Sequence, residues 1–310
     1  MTYLVGIADP IHASGVAWLE EQGARVVQGE EAVGPRLAEL DALIVRSRTK
    51  VTREVLERAV RLKVVGRAGV GVDNIDLEAA RARGVMVVNA PQATTEAVAE
   101  HTMALLFAVA RSIPQADASM KQGRWEKKRF VGIELAGRTL GLIGIGRIGA
   151  AVARRARGLG MQVVAYDPYL SPEAIRERGA EPVASPEDLY ARADVVSVHV
   201  PLTEETRGLV GRDAFASMKE GVILLCTARG GVVDEEALLE ALESGKVYGA
   251  GLDVFAQEPP GATPLVTHPR VVATPHIAAQ TREAQARVAL DIAQEVWAAL
   301  TGGELRWRVV

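Results

Sequence analysis

The sequence predicts an α/β protein made of two doubly wound parallel-sheet domains, and three observations predict it. Short runs rich in Val, Ile and Leu alternate with helical stretches along the whole chain, the rhythm of parallel strands joined by crossover helices. A plan of strand, glycine turn, helix and strand occurs twice, in GRAGVGVDNIDLEAARARGVMVVNAP and in GLIGIGRIGAAVARRARGLGMQVVAYDP. Length agrees, since 310 residues at roughly 150 per domain gives about two domains.

The expected strands, in order, are Leu4–Ala8, Ala42–Arg46, Lys63–Arg67 and Val85–Asn89, then Thr139–Ile143, Gln162–Tyr166, Val195–Val200, Val222–Cys226, Gly249–Val254 and Val271–Thr274. Two longer amphipathic helices break the rhythm. One runs from Thr95, where a Thr and Glu pair suits a cap, to about Ser112 before Pro114; the other runs from Thr281 to about Leu300.

Composition removes several function classes. Hydrophobic residues at 48% and charged residues at 24% describe an ordinary globular chain, while 4% aromatic residues leave few platforms for stacking nucleic-acid bases. A net charge of −3 supplies no broad cationic field for a phosphate backbone, so nucleic acid is not an expected partner. The single cysteine, Cys226, excludes an internal disulfide and thiolate-rich metal sites, and no metal is expected. The longest apolar run, Met103 to Ala110, is far short of the roughly 20 residues that span a bilayer. MTYLVGIADP reads as a first strand entering a turn, not as a leader, so a cytoplasmic protein without membrane contact is expected.

The two glycine turns differ in what they can hold. Gly144-Ile145-Gly146-Arg147-Ile148-Gly149 is a complete G-x-G-x-x-G between a strand and an Ala/Arg-rich helix. Gly144 allows the tight turn, Gly146 lets the backbone approach a pyrophosphate, and Gly149 lets helix and strand pack closely. Eighteen residues past Gly149 the next strand ends in Asp167, whose carboxylate accepts from ribose hydroxyls and repels a 2′-phosphate, which favours NAD over NADP. The turn at Gly69-Val70-Gly71 lacks the third glycine, and its next strand ends in Asn89 where the acid should stand. Its amides suit a smaller anion such as a substrate carboxylate.

A nicotinamide reaction needs a proton relay, and histidine suits it near neutral pH. Of the five, His12 and His268 lie in loops and His101 lies inside the long helix, where a core or surface role is expected. His199 and His276 both sit at strand ends, in VHVP and TPHIA. His276 has the better company: the preceding strand leads to Glu258, which an adjacent-strand arrangement brings beside the imidazole to orient it and stabilise its charge. One strand earlier, Arg229 stands between a buried strand and two glycines, suited to a bidentate grip on a carboxylate.

Together these segments resemble the D-isomer-specific 2-hydroxyacid dehydrogenases over nearly the whole chain. The resemblance runs through VRSRTKVT, VGRAGVGVDNIDLEAA, ASMKQGRWEKKRFVGIEL, GRTLGLIGIGRIG, YDP, TARGGVVDEEAL, GLDVFAQEPP and TPHIA, with the WEKK and GRAGVGVDN segments most like the phosphoglycerate enzymes. It implies NAD as cofactor and a small, phosphorylated 2-hydroxy or 2-keto acid as substrate, with glyoxylate or hydroxypyruvate reduction and an NAD-sensing corepressor as alternatives. The family's catalytic arginine, glutamate and histidine fall on Arg229, Glu258 and His276. Arg147 and Ile148 are implied at the pyrophosphate, Asp167 at the ribose, and Val200, Thr227, Ala228 and Asp253 on the nicotinamide side, with Ala278 and Ala279 also touching cofactor. Substrate contacts are implied at Arg46, Ser47 and Arg67 and at the amides of Val70 and Gly71.

The same resemblance implies a Rossmann-type NAD-binding domain, 95–280, inserted into a flavodoxin-like substrate domain made of 1–94 and 281–310. The long helices become hinges, the active site is expected between the domains, and a homodimer is expected through the nucleotide domain near Thr95–Ser112 and WEKKRF. Because the chain stops soon after the last helix, the serine-sensing domain of longer relatives is expected to be missing.

Overall fold

The computed structural model describes residues 2–310; Met1, the first residue of the expected substrate domain, lies outside the described residues. Backbone proximity divides the chain into two compact units, one formed by residues up to Thr95 together with Ala279–Val310, the other by Glu96–Ala278.

The first unit begins β1 (Leu4–Ile7), α1 (Ala13–Glu21), β2 (Arg25–Gln28), α2 (Glu30–Val33), β3 (Ala42–Val45), α3 (Arg53–Arg58), β4 (Val64–Arg67), α4 (Leu77–Ala82) and β5 (Met86–Asn89). Its sheet is parallel throughout in the order β2-β1-β3-β4-β5, the flavodoxin-like winding. β3 reads ALIV and is buried on both faces, as a central parallel strand covered by helices must be. The chain's last helix, Arg282–Thr301, returns to this sheet and buries Ala284, Val288, Ala289, Ile292, Ala293 and Val296 at three- and four-residue spacing. The Thr281 side chain caps its N-terminus and Gly302, at φ 75°, ends it. After it, the tail runs antiparallel to β5, with Val309 N–H donating to Val87 O at 2.7 Å.

The second unit contains α5 (Thr95–Ala110) from its second residue, then α6 (Ile113–Lys121), β6 (Thr139–Ile143), α7 (Arg147–Gly158), β7 (Gln162–Tyr166), α8 (Pro172–Glu177), β8 (Glu181–Pro182), α9 (Pro186–Arg192), β9 (Val195–Val198), α10 (Arg212–Ser217), β10 (Val222–Cys226), α11 (Glu235–Ser244), β11 (Val247–Leu252) and β12 (Val271–Ala273). The final helix is α12. The sheet order β12-β11-β10-β9-β6-β7-β8 is parallel at every pairing and is the Rossmann winding extended by one strand. The winding reverses between β6 and β9, so the ligand crevice of this unit lies beyond their carboxyl ends.

Helix α5 lies directly on β11, and two glycines make the approach possible. A Cβ at Gly249 would stand 2.8 Å from Val109 Cγ1, and one at Gly251 would stand 2.9 Å from Leu105 Cβ. The structure also adds elements that the sequence pattern does not announce. β2 and β8 are edge strands with exposed polar positions, so neither shows a clean hydrophobic period. Pro114 does follow the end of α5, but it then opens α6 from the first turn, with Ser112 at φ 50° making the bend.

Candidate active site

The glycine turn of the second unit is built for close backbone approach. Gly144 has φ 84°, and a Cβ there would lie 2.9 Å from the carbonyl oxygen of His199 at the end of β9. A Cβ on Gly149 would meet the Gly144 carbonyl oxygen at 2.5 Å, so any larger residue would part helix from strand. Gly146 is exposed, nothing lies within 4 Å of where its Cβ would stand, and no side chain caps the start of α7. The first-turn amides at Arg147 and Ile148 are thus offered to an anion at a helix N-terminus. Asp167, just past β7, accepts from Ile145 N–H at 3.1 Å with one oxygen and from Tyr169 N–H at 3.1 Å with the other. Each oxygen keeps a second lone pair, so the carboxylate fits a ribose diol while it holds the glycine turn in register. These residues fit a dinucleotide.

At the other end of the sheet, His276 stands on the loop after β12. Its backbone is left-handed at φ 53°, a region histidine enters more readily than most residues. Its N–H donates to Asp253 O at 2.9 Å, and its ring is 45% exposed. His276 Nδ1 lies 2.7 Å from Glu258 Oε2, while Glu258 Oε1 accepts from Phe255 N–H at 3.1 Å. Burial, the largest single influence on Glu258, pushes its carboxyl up, but the bond and charge of His276 and the Phe255 amide outweigh it and hold it below the usual range. A carboxylate bonded to Nδ1 fixes the ring and leaves Nε2 as the nitrogen able to exchange a proton with a bound group.

Asp253 sits under that loop, fully buried. It accepts from Thr274 Oγ1 at 2.6 Å, Ile277 N–H at 2.9 Å and Ala278 N–H at 2.8 Å. Burial again is the largest influence and raises its pKa; the bonds from His101, Thr274, Ile277 and Ala278 overcome it, so the group stays below the usual carboxylate range. The position expected on the nicotinamide side therefore spends its carboxylate holding the loop that presents His276.

Arg229 follows β10, where Thr227 is buried and Ala228 is half-buried. Its Nη1 donates to Ala228 O at 2.7 Å, and the next residue, Gly230, packs against the backbone of Phe255 and Ala256. Arg229 and Glu258 are thus carried by loops in direct backbone contact. Val200, just beyond β9, lies against Gly144. Cys226 is buried and its thiol is pushed up to about 11 by burial, which makes it an inert strand residue.

In the first unit, the residues with implied substrate contacts occupy two braced loops. Buried Asp9 accepts from the N–H of Arg46 at 2.7 Å and from the N–H and hydroxyl of Thr49 at 3.1 and 2.7 Å. Asn74 Nδ2 donates to the carbonyls of Arg46 and Thr49 at 2.7 and 2.6 Å, tying this loop to the one that follows the Gly69-Val70-Gly71 turn. Ser47 and Val70 are exposed, and Arg67 Nη1 donates to Ala68 O at 2.9 Å. Asn89, where a dinucleotide site would have an acid, donates to Val70 O at 2.7 Å and so holds this smaller turn. Ala279 belongs to the first unit, and its carbonyl accepts from Gln285.

The remaining histidines separate by environment. His12 accepts from Ser14 N–H as the cap of α1, and His268 accepts from Arg270 N–H. His199 bonds Ser197 Oγ at 2.8 Å, and burial pushes it down to about 4. His101, expected to be an ordinary helix histidine, joins the Asp253 cluster: its Nε2 is 2.9 Å from Thr274 Oγ1 and 3.5 Å from Asp253 Oδ1. No group of ligating side chains suited to a metal ion occurs among the described residues.

The fold is that of a doubly wound nucleotide domain, and its glycine turn and Asp167 fit a dinucleotide. Residues 103–278 match the family model described as "D-isomer specific 2-hydroxyacid dehydrogenase, NAD binding domain". The chain belongs to this family, and its second unit carries the NAD-binding domain. It is 50% identical over 307 residues to a D-3-phosphoglycerate dehydrogenase of Methanocaldococcus jannaschii, covering 98% of this chain and 58% of that one. The chain spans about half the length of the curated relatives it matches. Among solved structures, the TT0316 protein from Thermus thermophilus is 41% identical with a TM-score of 0.89, covering 99% of this chain and 100% of that one. A glyoxylate reductase from Paecilomyes thermophila is 30% identical with a TM-score of 0.89, covering 99% and 98%.

Proposed function

We propose that this protein is a D-3-phosphoglycerate dehydrogenase that interconverts 3-phosphoglycerate and 3-phosphohydroxypyruvate in serine biosynthesis, with Arg229 and His276 on the substrate and Glu258 behind the histidine. The observation that carries the reading is the His276–Glu258 pair at 2.7 Å, in a chain that is half identical to curated enzymes of that name. NAD, when bound, supplies the acceptor for the hydride that leaves C2. In oxidation, His276 Nδ1–H is held by Glu258, so Nε2 is the atom that takes the proton of the 2-hydroxyl. In reduction the imidazolium returns it to the keto oxygen, and the Glu258 charge stabilises that cation. Arg229 grips the substrate carboxylate, for which its planar fork is matched.

In this reading residues 95–280 form the NAD-binding domain, and 1–94 with 281–310 the substrate domain. The pyrophosphate meets the turn from Gly144 to Gly149, the ribose meets Asp167, and the nicotinamide side is lined by Val200, Thr227, Ala228, Asp253, Ala278 and Ala279. Arg46, Ser47, Arg67 and the amides of Val70 and Gly71 bind substrate, where cations near Arg46 suit a phosphate. We expect kcat/KM for phosphohydroxypyruvate to exceed that for hydroxypyruvate and glyoxylate by at least about tenfold, one lost charged contact. A preference for glyoxylate would favour the activity named for the Paecilomyes structure, and no turnover with NADH-dependent capture of a protein would favour a corepressor-like role. In the same assay Asp167→Ser should narrow the preference for NADH over NADPH, and an unchanged preference would remove Asp167 from the ribose.

We further infer a homodimer, covered on the face where Phe107, Ile113 and Met120 stand exposed along α5 and α6, with Trp125 and Val131 exposed in the segment that follows. Sedimentation of the protein as a monomer would refute it. A cytoplasmic setting suits a chain whose single cysteine is buried and unpaired.

A further inference from the structure

The registry between α5 and the sheet continues past the two glycines into the site. Val109 meets Gly249 and Leu105 meets Gly251, a step of four residues on the helix for two on the strand. Four helical residues rise about 6.0 Å and two strand residues about 6.6 Å, so the steps match and the helix runs against the strand. The next step pairs His101 with Asp253, which is where the structure has them, at 3.5 Å.

Proton bookkeeping gives each bond a direction. Thr274 donates its only hydroxyl proton to Asp253 at 2.6 Å, so His101 Nε2, 2.9 Å from the same oxygen, is the donor to Thr274. One residue on, fully buried Thr102 donates to Val98 O at 2.8 Å within its own helix, so Thr227 Oγ1, at 2.9 Å, donates to Thr102. Thr227 opens the loop that bears Arg229, and Thr274 opens the loop that bears His276. Successive residues of one helix therefore hold the roots of both loops.

We propose that His101 and Thr102 of α5 are a positioning pair that fixes the Arg229 loop and the His276 loop relative to each other. Neither is assigned to touch substrate or cofactor; they act through Thr274, Asp253 and Thr227. A rigid helix seated on β11 through two glycines is a better reference than either loop, because misplacement of reacting groups by about 1 Å costs on the order of a hundredfold in rate. The inference deepens the dehydrogenase reading and rests on it for its kinetic consequence.

The test compares His101→Leu with His101→Gln, and Thr102→Val with Thr102→Ser, in the intact protein. Leu and Val remove the bonding atoms, whereas Gln keeps a terminal N–H donor and Ser keeps the hydroxyl. We expect His101→Leu and Thr102→Val each to lower kcat by about 10- to 100-fold with KM for NADH changed by less than about threefold, and the Gln and Ser variants to recover most of the loss. Without ligands, amide exchange at Ile277 and Ala278, measured by NMR, should quicken at least about tenfold in His101→Leu and stay near the wild-type rate in His101→Gln. Equal losses in the Leu and Gln variants, or exchange unchanged in His101→Leu, would overturn the proposal. If the wild type turns over no 2-keto acid, the dehydrogenase reading fails and the exchange rates alone decide whether the brace exists.

Discussion

Replacing His276 by Gln is expected to lower kcat at least about a hundredfold, the usual scale of a positioned acid–base group, while NADH still binds. Gln can occupy the space and bond to Glu258, but it cannot take a proton at the atom corresponding to Nε2 or return it. Rates measured from pH 5 to 9 would sharpen the result. Glu258 is held below the ordinary glutamate range, so its contribution is present above that range and is lost only as pH falls through the lowered value. Across that pH range Glu258 therefore keeps its charge, and the loss in the Gln variant is that of the ring. Near-normal turnover of that variant would place the proton relay elsewhere. His199 is the obvious other candidate, and its bond to Ser197 and burial argue against it.

What the sequence reveals, and what it hides, follows from the range of the interactions. The dinucleotide turn is legible because everything it needs lies within one strand, one helix and Asp167. The His276–Glu258 pair is legible because parallel strand order makes consecutive strand ends neighbours, here β11 and β12. Asp253 and His101 are different. The family resemblance puts Asp253 at the cofactor, but three of its bonds go to residues 21 to 25 positions onward, and no local pattern announces a buried carboxylate that organises a loop. His101 reads as a helix residue until the register of α5 on β11 is known, and that register depends on two glycines about 150 positions away. Edge strands β2 and β8 escape for the opposite reason: they are half solvated, and the hydrophobic period that marks a central strand is absent.

Gly230→Ala is expected to be as damaging as the loss of His276, although the change adds a single methyl group. The Cβ would fall well inside contact with the carbonyl oxygen of Phe255 and 2.7 Å from the amide nitrogen of Ala256. These atoms are backbone and cannot rotate away. Relief requires the Arg229 loop to move off the loop in which Phe255 N–H holds Glu258, so the arginine and the histidine's partner separate together. A shift of about 1 Å costs on the order of a hundredfold in kcat, and the residual overpacking about 1–3 kcal/mol of stability, a fall of several degrees in Tm. Gly158→Ala, at the end of α7 where nothing lies within 4 Å, is the control and should leave kcat unchanged. The pair separates a close approach from a general intolerance of this unit to alanine. If Gly230→Ala turned over like the control, the two loops would not be locked backbone to backbone, and the approach of the Arg229 loop to the loop that bears Glu258 would not matter to turnover.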